Sequence, residues 1–273
     1  MDIILNAIIG SVLGGTLIED LADMLTGEEV EGISSLQTAI ASSVDSVSDV
    51  LVPIASVLIC IYFVIELMDK ITNDNFNTDQ FIRLLIKLVF AIVVVDNASV
   101  IAENIATFGT TFTRAIAGAG IESSLKLEAN FDDLGFIDKI AAFVIMIIPY
   151  FASLVIRVGA YFMVFSYVME IQIRTALAPL GFADLISGGV NSNGFKYLKK
   201  LLALAIQGGI MIIVMICATN LISAISIDQL DENAWSIENI IESIGMIFQI
   251  IAAQVAMLGL MGSARTIAND VIG

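Results

Sequence analysis

Apolar residues follow one another in five long stretches of this chain, and short polar segments separate the stretches. A helix that crosses a bilayer needs about 20 mostly apolar residues, and each stretch meets or approaches this length. The fourth stretch is the clearest, because no charged residue occurs between Leu201 and Ile227, whereas Lys87 and Asp96 interrupt the second. The pattern predicts an all-α integral membrane protein. Its domain of residues 47–273 would hold about five transmembrane helices, at about 47–68, 84–104, 137–168, 199–224 and 239–263.

Residues 1–46 have a different pattern, in which apolar residues recur at helical spacing among acidic ones. This predicts acidic amphipathic N-terminal helices outside the cytoplasm, the second of which continues into the first span. Gly10 and Gly14 form a GxxxG pair, a spacing that lets helices approach closely. Three arrangements of the first helix are open: half-insertion into the membrane, packing against a neighbouring subunit, or packing on the outer face of its own chain.

The composition excludes a soluble domain. Of the 273 residues, 58% are hydrophobic and 15% are charged, and the mean hydropathy is +0.94. Soluble domains contain roughly 45–50% apolar and about 25% charged residues. The chain has no histidine, and its two cysteines, Cys60 and Cys217, lie in apolar runs. We therefore expect no catalytic residue, no metal site, no cofactor and no enzymatic activity.

The basic residues predict the orientation of the spans. The first 49 residues contain nine acidic residues and no basic one. The first connection holds three basic residues, the third holds four, and the C-terminal tail holds Arg265. The second connection holds three basic residues among six acidic ones, and the fourth is purely acidic. Because cytoplasmic loops are rich in Lys and Arg, we expect the N-terminus outside and the C-terminus in the cytoplasm. The net charge of −16 argues against direct sequence-specific binding of nucleic acid, which needs clustered cations.

Three charged residues of the predicted spans are candidates for an intramembrane charge pair or for the lining of a path. Arg157 lies about 20 Å from the cytoplasmic end of its helix, counting back from Glu170, and Asp96 lies at a similar depth on the preceding span. A charge at this depth is costly unless it faces protein or water. The two residues can form a buried pair that fixes the helix register, or they can line an aqueous path. Glu66 is a third candidate member of this group, or an interfacial acid beside Lys70.

Pro149 and the pair Gly208-Gly209 are candidates for helix packing or for a hinge, together with Gly10 and Gly14. Proline removes one backbone hydrogen bond and bends a helix. Glycine allows two helices to come close together. Packing is the simpler interpretation of both features.

The third connection, residues 169–200, contains four of the 12 basic residues of the chain. Lys196, Lys199 and Lys200 alternate with apolar residues at the start of the fourth span, a pattern suited to anionic lipid headgroups. Lysines at a membrane interface need no further explanation. A membrane interface does not explain the segment Ala176–Ala183, which has the sequence Ala-Leu-Ala-Pro-Leu-Gly-Phe-Ala.

This segment, the Phe195–Ala203 lead into the next span, and the layout of five spans resemble the TrbL family of inner-membrane channel subunits in type IV secretion and conjugation machines. The resemblance covers residues 45–265 in the arrangement of the spans and residues 169–210 in the amino-acid sequence. It implies a multi-pass protein of the bacterial cytoplasmic (inner) membrane, in which several copies surround a path for DNA or protein. It also implies other secretion subunits as partners, among them a cytoplasmic ATPase. The third connection would then dock cytoplasmic machinery through Arg174, Pro179, Gly181, Phe182, Lys196, Lys199 and Lys200.

Other functions are compatible with a helical membrane protein. A self-contained secondary transporter or channel for a small solute is the main alternative, although such transporters usually contain internal repeats and paired broken helices. A pore-forming toxin or holin is a further alternative, which the orderly alternation of loops makes less attractive.

Overall fold

The computed structural model describes residue 8 and residues 15–27, 34–73, 77–120, 136–185, 192–227 and 240–272. All elements in this part of the chain are helices, and no strand occurs among these residues. The helices are α1 (Gly15–Thr26), α2 (Ser34–Asn73), α3 (Thr78–Asp96), α4 (Ala98–Gly120), α5 (Phe136–Ala176), α6 (Ala178–Phe182), α7 (Asn193–Ile227) and α8 (Ile240–Ile272).

Four of these helices contain a stretch that is long and apolar enough to cross a membrane: Ser42–Thr72, Met146–Ala176, Asn193–Ile225 and Ile244–Ile272. A fifth span results if the bent pair α3 and α4 counts as one. The predicted class, an all-α polytopic membrane protein, is confirmed. α2 runs without a break past residue 47, where the sequence places a domain boundary. The long helices also extend beyond the predicted spans, because their polar ends remain helical.

The second predicted span, about residues 84–104, is two helices in the structure. α3 ends at Asp96, α4 begins at Ala98, and the two helices are bent by 62°. Asn97 leaves the helical conformation at φ −108° and ψ 16°. Its backbone N–H and its side-chain Nδ2 both donate to the carbonyl oxygen of Val93, at 3.2 and 2.8 Å. An asparagine side chain that bonds the local backbone competes with the helix ladder, which explains the break.

The described chain divides into two compact units. The first unit comprises Met1–Val30, Phe112–Ser166 and Gly208–Ala264. α1 buries Leu17, Leu21 and Leu25 in this unit, which is the packing expected of an amphipathic helix. The three arrangements concern the first apolar stretch, residues 3–18, which lies mostly outside the described residues, so the choice among them stays a prediction.

Two hydrogen bonds fix α1 in the first unit. The Tyr161 hydroxyl donates to Asp20 Oδ2 at 2.7 Å. Arg114 Nη2 donates to the carbonyl oxygen of Thr26, the last residue of α1, at 2.9 Å. Arg114 thereby bonds one of the carbonyl groups that a helix leaves without an intrahelical partner at its C-terminus.

The second unit comprises Glu31–Thr111, Tyr167–Gln207 and Arg265–Gly273. Its core consists largely of alanines and a few larger apolar residues from α2, α3, α4, α6 and α7. Small side chains allow helix backbones to approach closely in a membrane protein. The fully buried residues of this core include Ala55, Ile59, Ala91, Val95, Ala98, Ala102, Ala178 and Leu201.

Candidate functional site

A basic cavity of about 480 Å³ lies within the second unit. Three helix ends form it: the last turns of α5, the first turns of α7 and the last turns of α8. Five cationic side chains and one carboxylate line it. The charged residues are Arg174, Lys196, Lys199, Lys200, Arg265 and Glu170.

Glu170 holds the two arginines of the basic cavity. Arg174, one helical turn further along α5, donates from Nε and Nη2 to Glu170 Oε1 at 3.0 and 2.8 Å. Arg265 of α8 approaches the same carboxylate, with Nη2 3.1 Å from Oε1 and Nη1 3.3 Å from Oε2. Because these side chains are partly exposed, each ion pair contributes at most about 1 kcal/mol. The carboxylate therefore positions the guanidinium groups more than it stabilises the fold.

The lysines of the basic cavity lie on the first two turns of α7. Lys196, Lys199 and Lys200 are all exposed. The Lys199 ammonium lies 5.8 Å from the centre of the Phe195 ring, within cation–π range. Among the described lining residues no carboxylate other than Glu170 is present. The cavity therefore carries a local excess of four positive charges.

Gln207 is a buried polar residue at the apolar end of the basic cavity. Only 6% of its surface is exposed. Its Oε1 atom is buried without a hydrogen-bond partner. A buried acceptor without a donor costs free energy, about 1–3 kcal/mol for a typical group. This position would suit a ligand that brings its own donor.

The Ala176–Ala183 segment forms the turn between α5 and α7, and the structure places most of it in the core. Ala178, Pro179 and Phe182 are buried. Buried side chains offer little docking surface in this arrangement, and docking of cytoplasmic machinery through Pro179 and Phe182 stays a prediction. The apolar side chains of this segment pack among the alanines in the core of the second unit.

Tyr197 explains the rest of this turn. Its ring packs edge-on against Phe182, with centroids 5.7 Å apart and planes at 86°, and its hydroxyl donates to the backbone carbonyl of Arg174. Gly181 faces the same ring, and a Cβ atom at this position would lie 2.5 Å from Tyr197 Cδ1. Gly181 is therefore a packing residue as well.

The start of α7 is capped by two side chains of the same connection. Ser192 Oγ accepts a hydrogen bond from the Phe195 N–H at 3.2 Å, and Asp184 Oδ2 accepts one from the Asn193 N–H at 3.1 Å. Such caps satisfy N–H groups that have no partner within the helix. They fix the helix turn that carries Lys196.

Glu66 forms an ion pair with Lys87, whose Nζ lies 3.3 Å from Glu66 Oε1. The pair joins α2 to α3 in the second unit. Lys87 is the residue that interrupts the second apolar stretch in the sequence, and its partner explains how the charge is accommodated there.

Arg157 and Asp96 lie in different units, and their pairing stays a prediction. Asp96 is the exposed last residue of α3. Arg157 is half-buried in α5, one turn before Tyr161, whose hydroxyl bonds Asp20 of α1.

The residues proposed for packing or hinges have separate surroundings. A Cβ atom at Gly209 would lie 2.5 Å from the Phe112 ring, so this glycine marks a close approach of α7 to α4 in the first unit. Gly208 beside it is buried. Pro149 lies within α5 and lines an apolar cavity of about 310 Å³. Gly10 and Gly14 lie outside the described residues.

The sequence prediction does not include the charged residues Glu170 and Arg265 of the basic cavity, nor its buried polar residue Gln207. Glu170 carries a weak signal, its spacing of four residues from Arg174, which is typical of a helical ion pair. Gln207 is the first uncharged polar side chain in an otherwise apolar run, and this pattern predicts a buried polar residue. In the described part of the chain no group of three His, Cys, Asp or Glu residues could hold a metal ion.

Comparison with protein families finds a match over more than half of the chain. The family model described as TrbL/VirB6 plasmid conjugal transfer like protein matches residues 30–179. The matched stretch begins just before α2 and ends within α6, so it includes most of the helices of the second unit. Searches of curated proteins and of solved structures returned no significant match.

Proposed function

Because the chain belongs to the TrbL/VirB6 plasmid conjugal transfer-like family, we propose that it is the conduit and scaffold subunit of a type IV secretion machine. The chain is a multi-pass membrane protein of the conjugal transfer class. Several copies would assemble in the bacterial inner membrane around a path for DNA or protein. The observation that carries the proposal is the family match, which covers more than half of the chain.

A stripe of small and polar residues on α8 supports assembly from several copies. Within the first unit these residues recur at alternating spacings of four and three, and all of them are exposed. At Gly245 and Gly259 an added Cβ atom would meet nothing within 4 Å. Small residues in this spacing are typical of helix interfaces inside membranes. The α8 stripe comprises Gly245, Gln249, Ala252, Ala256, Gly259 and Ser263.

The distribution of charged residues supports the orientation in the membrane and the partners that this proposal includes. The basic cavity belongs on the cytoplasmic side by the positive-inside rule. Its exposed lysines would meet a cytoplasmic ATPase or another secretion subunit. The protein would act by binding and conducting, without catalysis. The net charge of −16 disfavours sequence-specific binding of nucleic acid, so translocated DNA would pass without being recognised by its sequence.

Disulfide cross-linking tests the assembly. Cys60 and Cys217 are free and exposed, so both are first replaced by alanine. In this background Ala256→Cys, in the middle of the α8 stripe, is expected to form a covalent dimer in membranes under a mild oxidant. Val255→Cys, exposed on the same helix and about 100° around its axis from Ala256, is the matched control. Equal cross-linking at both positions, or none at either, would remove the α8 stripe as the contact between copies.

A transfer assay tests the role of the assembly. A strain that lacks this gene is complemented with Gly259→Leu, which fills the α8 stripe, or with Val255→Leu, an exposed change beside it. We expect Gly259→Leu to lower the frequency of conjugal transfer at least about tenfold, the effect of a loss of about 1.4 kcal/mol in association, and Val255→Leu to preserve it. Normal transfer by Gly259→Leu, at equal protein abundance, would contradict the conduit proposal.

A self-contained transporter for a small solute is the second candidate, and the break at Asn97 favours it. Transporters often bind solutes at discontinuous helices, which occur in matched pairs. The described residues contain one such bent pair, α3 with α4. A stable monomer that binds a small solute, and a strain that transfers plasmids normally without this gene, would establish the transporter in place of the conduit.

A further inference from the structure

The basic cavity is an exception in an acidic protein. The chain has a net charge of −16 and only 12 basic residues, and five of them line this one cavity beside a single carboxylate. Such a concentration attracts anions, and arginine and lysine side chains are the usual ligands of phosphate. The mutual repulsion of these cations is a cost that a bound anion would relieve.

The position of the basic cavity restricts the anion to the membrane interface. Its charged residues lie at the ends of three candidate spans, Met146–Ala176, Asn193–Ile225 and Ile244–Ile272. A helix of 33 residues is about 50 Å long, whereas the hydrocarbon core of a bilayer is about 30 Å thick. The helix ends therefore reach the headgroup region. The apolar residues Ala203, Leu204 and Ile272 also line the cavity, as a ligand with an acyl chain requires.

Gln207 adds a requirement that a phosphate alone does not meet. Its buried Oε1 atom is an acceptor without a donor, and a phosphodiester has no hydrogen to donate. A hydroxyl group close to the phosphate would supply this hydrogen bond without the positive charge that an ammonium group would add to a cavity already rich in cations. The ligand therefore needs an anionic phosphodiester and a hydroxyl within the same headgroup.

We propose that the basic cavity is a binding site for one phospholipid whose headgroup is a hydroxyl-bearing phosphodiester of the phosphatidylglycerol type. Lys196, Lys200 and the two arginines held by Glu170 bind the phosphate. The Gln207 side chain turns its Oε1 atom into the cavity and accepts a hydrogen bond from the glycerol hydroxyl. The proposal does not rest on the translocation role, since it concerns the chain and the lipid alone.

Lipid titration of the purified full chain in neutral detergent, read by native mass spectrometry, tests the charge requirement. The double variant Lys196→Gln/Lys200→Gln is compared with Lys70→Gln/Arg83→Gln, which removes the same charge from other sites in the second unit. We expect phosphatidylglycerol to bind the first variant about tenfold more weakly than wild type, as for the loss of about 1.4 kcal/mol, and the second unchanged. Equal affinities for the two variants would overturn the site.

Phosphatidylmethanol tests the hydroxyl requirement, because it is a phosphodiester of the same charge without a headgroup hydroxyl. Wild type should bind phosphatidylglycerol several-fold more tightly than phosphatidylmethanol. Gln207→Met, which keeps the length of the side chain and removes its acceptor, should bind the two lipids equally. A preference that survives in Gln207→Met, or no preference in wild type, would overturn the role of Gln207.

Soluble competitors distinguish a lipid from a free phosphate compound. Inorganic phosphate and glycerophosphoglycerol, the deacylated headgroup, are added to the complex with phosphatidylglycerol. We expect neither to displace the lipid at a hundredfold excess, because they lack the acyl chains. Displacement by either compound at the concentration of the lipid would show that the cavity takes a soluble phosphate ligand, and the lipid proposal would be wrong.

Discussion

The Tyr197 hydroxyl donates a hydrogen bond to the backbone carbonyl of Arg174, and this contact ties the start of α7 to the end of α5. The Arg174 carbonyl belongs to the last turn of α5, where helix carbonyls lack an intrahelical partner. Arg174 also lines the basic cavity, where it forms an ion pair with Glu170. One tyrosine therefore joins the packing of the Ala176–Ala183 turn to the geometry of the charged site.

Tyr197→Phe is expected to lower the free energy of unfolding in mixed detergent micelles by about 1 kcal/mol, since it removes this hydrogen bond and leaves a buried carbonyl without a donor. Tyr62→Phe is the control, because Tyr62 is a half-buried tyrosine of the same unit for which the structure shows no hydrogen bond. Unfolding by dodecyl sulfate, followed by circular dichroism, measures both variants. Equal stabilities would mean that the bond contributes nothing.

Gly181→Ala is expected to destabilise the second unit by roughly 1–3 kcal/mol, the usual cost of overpacking. The added Cβ atom would lie 2.5 Å from the Tyr197 ring. Gly118→Ala makes the same change in α4 where nothing lies within 4 Å, and it should stabilise the protein by about 0.5–1 kcal/mol because alanine favours a helix. The two glycine-to-alanine substitutions are therefore expected to change the stability in opposite directions. Thermal unfolding in detergent measures both variants.

The apolar periodicity of the sequence predicts the helical membrane class, and the reason is physical. A bilayer requires long apolar helices whose backbone groups form hydrogen bonds within the helix. Such helices are visible as apolar runs in the sequence alone. The break at Asn97 is invisible in the same pattern. It depends on one side chain that bonds the Val93 carbonyl, a local competition that hydropathy does not report.

The basic cavity was only partly predictable for a different reason. Lys196, Lys199 and Lys200 are adjacent in the sequence, and their clustering with Arg174 is readable. Arg265 reaches Glu170 across 95 positions of the chain, and no spacing rule predicts such a contact. The burial of Phe182 likewise follows from packing among distant alanines, which is why a turn that looks like a docking loop in the sequence is part of a core.

The group around Tyr161 leads to a prediction for Arg157. Arg157 lies one helical turn before Tyr161 on α5, and the Tyr161 hydroxyl bonds Asp20 of α1. A double-mutant cycle with Arg157→Gln and Asp20→Asn should therefore give a coupling energy of about 0.5 kcal/mol or more, as interacting residues do. The same cycle with Asp96→Asn tests the pair predicted from the sequence. A larger coupling in the second cycle would assign Arg157 to Asp96 instead.

The bent pair of α3 and α4 leads to a prediction about the number of spans. If the pair forms one bent span, as the five-span topology requires, then Thr72 before it and Ala119 at its far end lie on opposite sides of the membrane. Both positions are exposed, so cysteines placed there in the background without Cys60 and Cys217 should react with a membrane-impermeant maleimide from opposite sides. Labelling is measured in intact cells and in inverted vesicles.

Lys200→Cys serves as the reference for the cytoplasmic side in this experiment. It is exposed, whereas Ser192 in the same connection is only 3% exposed and would label poorly for a reason unrelated to topology. We expect Thr72→Cys to label with Lys200→Cys, and Ala119→Cys to label from outside, because the first and third connections carry the basic residues. Labelling of Ala119→Cys from the same side as Thr72→Cys would make the pair a re-entrant loop and leave the chain with four spans.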